Sequence, residues 1–148
     1  NPVERAISNY WFSIENGLEN RSISEVFKDE KSPVLEASPN ISVNPFDYLK
    51  RGNYIEYINV FLTYFDFSKF HIIILEDLLE NKKTMQDLWE FLEIKNLYRS
   101  DWNKKLVNSS NRYRQPPVSV IRYLREYYKD SIDELEQLLN QDLKAWIS

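Results

Sequence analysis

The chain has no cysteine among its 148 residues. That excludes a disulfide framework and a thiolate metal site. It has only two glycines and one histidine. With so little glycine there is no G-x-x-x-x-G-K-[ST] phosphate loop. No apolar run reaches the roughly 18 residues that a membrane-spanning helix needs. No signal peptide, internal repeat or low-complexity segment is visible. Positive charge is in short supply as well: 19 Lys+Arg stand against 23 Asp+Glu, for a net charge of −4. A general nucleic-acid binder needs a concentrated positive surface, so the balance argues against that class. It does not exclude one small anion pocket, because local charge decides that.

What the chain does have is aromatic mass, with 10 Tyr, 8 Phe and 4 Trp. This is the composition of a packed, largely helical chain rather than a disordered one. The length fits about one domain. A chain of this size buries roughly two-thirds of its unfolded surface, enough for a core without staples.

The first eleven residues organise the rest. Asn1 is a good N-cap and Pro2 suits the first helical position. Val3, Ala6, Ile7, Tyr10, Trp11 and Ile14 follow at helical spacing as one apolar stripe. The helix is expected to run to about Asn16, with Gly17 taking a left-handed cap. Arg5 and Ser8, three apart, share a polar face near the positive end of the helix dipole. A cation and a hydroxyl there suit an anion site, though a merely solvated face reads the same from spacing alone.

Further along, Ser22-Ile23-Ser24-Glu25 is a capping box that opens a short helix. Pro33, Pro39 and Pro45 mark a long loop from Glu30 to Pro45, either a binding loop or a solvated excursion. Gly52 precedes an amphipathic helix with Tyr54, Ile55, Tyr57, Ile58, Phe61, Leu62 and Phe65 on one broad face. Phe70-His71-Ile72-Ile73-Ile74-Leu75 reads as a strand covered on both faces, as in a parallel sheet. His71 draws attention as a base, but at the start of a buried strand it is expected to be structural. Glu76 and Asp77 are expected to cap and anchor rather than to act as an acid pair. A helix over Thr84 to Glu93 turns Met85, Leu88, Trp89 and Leu92 inward. Asn108 to Pro117 is a polar loop carrying Arg112 and Arg114. A helical tail follows, with a fresh start at Asp130-Ser131-x-x-Glu134.

Taken together, Asn1-Pro2-x-x-Arg5-x-x-Ser8-x-Tyr10 resembles the 3′-phosphate-binding segment of sulfotransferases that use 3′-phosphoadenosine-5′-phosphosulfate (PAPS), of the heparan-sulfate and bacterial kinds. The resemblance continues through Gly52-Asn53-Tyr54, the strand with its Glu-Asp-Leu, Phe91-Leu92, and the ending Tyr127-Tyr128, Leu135-x-x-Leu138-Leu139, Asp142-Leu143-x-x-Trp146. Glu93 departs from the family's usual Phe-Leu-Gly.

The resemblance implies an α/β, P-loop-kinase-like fold with a central parallel sheet, of which this chain would hold the mostly helical C-terminal portion. It implies one domain over residues 1–148, N-terminally incomplete. The implied activity is transfer of a sulfuryl group from PAPS to a hydroxyl or amine, leaving adenosine 3′,5′-bisphosphate, with no metal. Ser8 falls on the family's 3′-phosphate-binding serine. Arg112 and Arg114 lie where a basic loop closes on that phosphate, and Arg5 falls on a common family arginine. No catalytic residue is expected in this chain, because the donor loop and the base lie upstream in family members. The acceptor could be carbohydrate, peptide or small alcohol; no nucleic-acid partner and no membrane segment are expected, and the location is expected to be cytoplasmic. The rival reading is a non-catalytic helical interaction module, which predicts a large exposed apolar patch.

Overall fold

The computed structural model describes residues 1–28, 44–95 and 115–148, apart from the side chains of 79 and 80. The expected loop from Glu30 to Pro45 falls almost wholly outside them, as do Arg112 and Arg114. The described chain is helical: α1 (Pro2–Glu15), α2 (Ile23–Val26), α3 (Tyr54–Leu62), α4 (Leu75–Glu80), α5 (Lys82–Phe91) and α6 (Val118–Leu139). It divides into two compact units, Asn1–Val60 with Ser110–Ser148, and Phe61–Ser109.

In the first unit, α1 begins as its sequence demands. The Asn1 side chain accepts from the Val3 N–H at 3.0 Å and the Glu4 N–H at 3.4 Å, and Pro2 fills the first turn. Asn16 caps the other end, and Gly17 takes a left-handed backbone, φ 68°. Val3, Ala6, Ile7 and Tyr10 are buried. They pack against α6, whose inward residues Val120, Leu124, Tyr128, Ile132 and Leu135 recur every three or four positions. Ala6 and Leu124 are both fully buried. Four buried aromatic residues of this unit cluster: Tyr10, Phe27, Phe46 and Tyr48 meet edge-on or tilted, with centroids 6.0–6.3 Å apart.

Ser22 opens α2 with the capping box read from sequence. Its hydroxyl accepts from the Glu25 N–H, and the Glu25 carboxylate accepts from the Ser22 N–H at 2.7 Å. The tail departs from expectation. α6 runs unbroken through Asp130 and Ser131, with no second start. No proline or glycine interrupts it, and the Ser131 hydroxyl donates back to the Tyr128 carbonyl at 3.1 Å instead of capping a new helix. It ends at Asn140 in the left-handed conformation, φ 51°, which asparagine tolerates.

In the second unit the expected strand does not form. Phe70 and Ile74 have extended backbone (φ −109°, ψ 138°; φ −77°, ψ 124°), yet no ladder pairs them and the chain turns into α4 at Leu75. Among the described residues there is no strand at all. A β-branched run favours extended backbone, but only pairing with a neighbour makes it a strand. The α/β, P-loop-kinase-like fold with its central parallel sheet is therefore corrected to a helical architecture in the described residues. α4 packs against α5, and Asn81 joins them. It closes α4 and caps α5, its side chain accepting from the Lys83 N–H at 2.9 Å. His71 stacks on Phe91, centroids 5.0 Å apart and planes 21° apart, a packing role. Glu76 and Asp77 occupy the first turn of α4, where the helix dipole favours carboxylates. Trp89 of α5 is buried as expected, but Leu92, expected inward, is exposed.

Candidate functional site

The helix α1 carries two of the residues singled out for anion binding, Arg5 and Ser8, and they differ in their surroundings. Ser8 is exposed. Its hydroxyl stands on the second turn of a helix whose N-terminus is built by Asn1 and Pro2. Arg5 is half-buried and already engaged: its Nη2 donates to the Tyr48 carbonyl. Its guanidinium also faces the Tyr128 hydroxyl, which its positive charge favours in the ionised form. Burial outweighs that and pushes the Tyr128 phenol upward from its ordinary value. Arg112 and Arg114 lie outside the described residues.

The polar face of α1 is organised differently from the Arg5–Ser8 pairing. Arg5, Asn9 and Ser13 stand four apart, so each is rotated only about 40° from the last. All three aim at one segment, the irregular strap from Asn44 to Leu49, which leads into a 3-10 turn at Lys50–Gly52. Asn9 Nδ2 donates to the Pro45 carbonyl at 3.1 Å and Ser13 Oγ to the same carbonyl at 3.5 Å. Tyr128 of α6 donates its hydroxyl to the Leu49 carbonyl at 2.8 Å and lies 3.4 Å from the Tyr48 carbonyl. Arg51 Nη2 closes the strap on itself through the Asn44 carbonyl at 2.9 Å. An irregular backbone lacks helix or sheet partners, so buried carbonyls need donors from elsewhere. Here side chains supply them.

Gly52 ends the turn after the strap, against the Tyr128 ring. A Cβ at this position would stand 2.6 Å from three Tyr128 atoms. The Gly52-Asn53-Tyr54 motif thus has a local reason: only glycine lets the backbone of this turn reach the aromatic ring of α6.

Sequence reading missed Glu19, the one buried carboxylate among the described residues. It is 7% exposed. One carboxylate oxygen accepts from the backbone N–H of Asn20 (3.0 Å) and Arg21 (3.1 Å) and from Arg21 Nε (2.9 Å). The other accepts from Arg21 Nη2 at 2.7 Å and from the Tyr48 hydroxyl at 3.2 Å. The Arg21 side chain, chiefly, holds Glu19 well below its usual 4.5, at about 2. Burial beside this carboxylate pushes Tyr48 up to about 12. Tyr10 completes the cluster by donating to the Arg21 carbonyl at 2.9 Å. The sequence signal was available: an acid and an arginine two apart, just after a helix cap. Nothing in it announced that Tyr48 would meet them. The Glu19 carboxylate is buried and both its oxygens are paired, so its chemistry is structural.

The described residues hold no group of three or more His, Asp or Glu that could bind a metal. No family model matches the chain, and no solved structure matches it. Among curated proteins, a membrane-associated sulfotransferase, kil1 of Dictyostelium discoideum, is 28% identical over 100 residues. The match covers 67% of this chain and 21% of that protein, so the chain spans about a fifth of its relative's length. It supports a sulfotransferase relation.

Proposed function

We propose that the chain is the 3′-phosphate-binding and substrate-side part of a PAPS-dependent sulfotransferase acting on a hydroxyl or amine. The sulfotransferase relation rests on the relative. PAPS dependence rests on α1: a capped helix start followed by an exposed hydroxyl at Ser8 is the observation that carries the reading. The fit to a phosphate is one-sided. Ser8 can donate one hydrogen bond to a phosphate oxygen, and Arg112 and Arg114 are the proposed charged partners from the second loop. Arg5 is committed to the strap and contributes charge nearby rather than a free fork.

PAPS, when bound, supplies the sulfuryl group; transfer of this kind depends on in-line geometry and on stabilised charge at the leaving oxygen. The chain's own part is to hold the nucleotide end of the donor. No metal is assigned a role. The acceptor class, carbohydrate, peptide or small alcohol, is part of the same proposal, and so is the cytoplasmic placement. Among the described residues no helix is long and apolar enough to cross a membrane. Membrane association, named for the relative, is the competing outcome, and fractionation of cells making the chain separates the two.

The test is calorimetric titration with adenosine 3′,5′-bisphosphate. Ser8→Ala should weaken binding by about 1–3 kcal/mol, the worth of a hydrogen bond to a charged group. Unchanged affinity in a folded variant removes Ser8 from the site.

One observation favours the second reading, a helical interaction module. In the Phe61–Ser109 unit, Phe61, Tyr64, Phe65 and Phe67 are 54%, 79%, 56% and 45% exposed. Four neighbouring exposed aromatics exceed the scattered apolar residues of an ordinary surface. That reading predicts no nucleotide binding at all.

A further inference from the structure

We propose that Arg5 is a positioning residue: with Asn9 and Ser13 it forms a ladder of donors along α1 that fixes the course of the 44–49 strap. Tyr128 reaches the same strap from α6, so the strap is held between two helices.

Three observations carry this independently of any ligand. The rungs are evenly spaced. Arg5, Asn9 and Ser13 follow one side of α1 and meet the strap in reverse order along its chain, Arg5 at Tyr48 and the other two at Pro45. Besides the Arg51 bond to the Asn44 carbonyl and the Phe46 N–H bond to Asn44 Oδ1, the strap has only short-range bonds of its own. Between Asn44 and Leu49 its backbone contacts are the short-range turns from Asp47 N–H to the Asn44 carbonyl (3.3 Å) and from Tyr48 N–H to the Phe46 carbonyl (2.8 Å). Finally, the strap's inward side chains, Phe46 and Tyr48, are 7% and 4% exposed. Burying them requires the backbone between them to be held at a fixed distance from α1, and the donors set that distance.

Arg5 suits the top rung for a chemical reason. A guanidinium presents its donors in a rigid planar fork, so it can serve the Tyr48 carbonyl while facing the Tyr128 hydroxyl. A lysine ammonium carries the same charge without the fork. Arg5 also precedes Ser8 by less than one turn of α1, so its anchoring orients the turn that presents Ser8. The ladder does not depend on the function of Ser8; its effect on nucleotide affinity does rest on the sulfotransferase reading.

Amide hydrogen exchange on the whole chain tests the ladder. Arg5→Ala should speed exchange at Gly52 and Asn53, whose N–H groups bond back to Leu49 and Lys50. The expected rise is about 10- to 100-fold, from loss of a hydrogen bond to a charged donor. Leu124 and Ile132 in the middle of α6 should keep their wild-type rates. Arg5→Lys should behave like Arg5→Ala. Asn9→Ala, a milder change, should loosen Asp47 and Tyr48 by a smaller factor, and Ser8→Ala should leave the strap unchanged. The proposal is overturned by unchanged strap exchange in Arg5→Ala and Asn9→Ala, by a uniform rise over α6 and strap alike, or by full rescue by lysine. Loss of adenosine 3′,5′-bisphosphate binding in Arg5→Ala with an unchanged strap would also overturn it, by making Arg5 a direct phosphate ligand. Absence of nucleotide binding in the wild-type chain, with the strap loosened in Arg5→Ala as expected, defeats the sulfotransferase reading and leaves the ladder standing.

Discussion

Replacing Glu19 with glutamine removes one charge and almost no volume, so its cost isolates the electrostatics of the buried cluster. Two independent routes give the magnitude. The carboxylate falls from its ordinary 4.5 to about 2 in the folded chain. At about 1.4 kcal/mol per pH unit, that fall is worth about 3 kcal/mol of stability at neutral pH. Breaking a buried ion pair by removing one partner costs about 3–5 kcal/mol, because the other charge stays behind. Arg21 is less buried than Glu19, with side chains 26% and 3% exposed, so water recovers part of its charge and the lower figure applies. The sign follows from the direction of the fall. A group held below its unfolded value contributes stability that is complete above 4.5 and is lost as pH drops toward about 2. Urea denaturation of wild type and Glu19→Gln should therefore differ by about 3 kcal/mol at pH 7. The gap should narrow below pH 4.5 and nearly close near pH 2. Equal stability at pH 7, or a gap that does not change with pH, would refute the reasoning.

Gly52→Ala drives a methyl into the Tyr128 ring at 2.6 Å, and should cost about 1–3 kcal/mol in thermal or urea unfolding; no loss would mean that the strap and α6 do not meet as described. Glu93→Gly should stabilise by about 1 kcal/mol, because Glu93 holds φ 54°, a left-handed backbone that glycine adopts freely. Its check is the urea midpoint, with an unchanged or lower midpoint as the contrary result. Tyr128→Phe removes the hydroxyl that donates to the Leu49 carbonyl at 2.8 Å, and should cost about 1–2 kcal/mol by leaving that half-buried acceptor short of a donor.

Much of the helical framework was legible because its signals are local. The Asn1 cap, the Gly17 turn and the Ser22–Glu25 box each depend on side chains within three residues of the backbone they serve, so the sequence contains both partners. The packing stripe of α6 was legible for the same reason: its period is set by one helix. Phe70 to Leu75 was not, because a strand exists only through a neighbour that the run itself does not name. The Asp130–Glu134 box failed differently. A capping pattern competes with helix continuation, and with no proline or glycine nearby the helix wins.

The polar face of α1 shows the same division. Arg5 and Ser8 group by standing three apart, and Ser8 is exposed. Arg5 instead aligns with Asn9 and Ser13, a spacing that was readable, but its target is Tyr48, 43 residues away. Long-range acceptors on an irregular strap leave no periodic trace. Glu93 is an instructive departure. Its place where the resembled family uses glycine coincides with a left-handed backbone.

The central claim is that α1 helps to bind the 3′-phosphate of a sulfuryl donor. Titration of adenosine 3′,5′-bisphosphate into the chain, beside adenosine 5′-monophosphate, tests it most directly. The account predicts binding that requires the 3′-phosphate and weakens in Ser8→Ala. Equal affinity for the two nucleotides, or no binding of either by the folded chain, would contradict it.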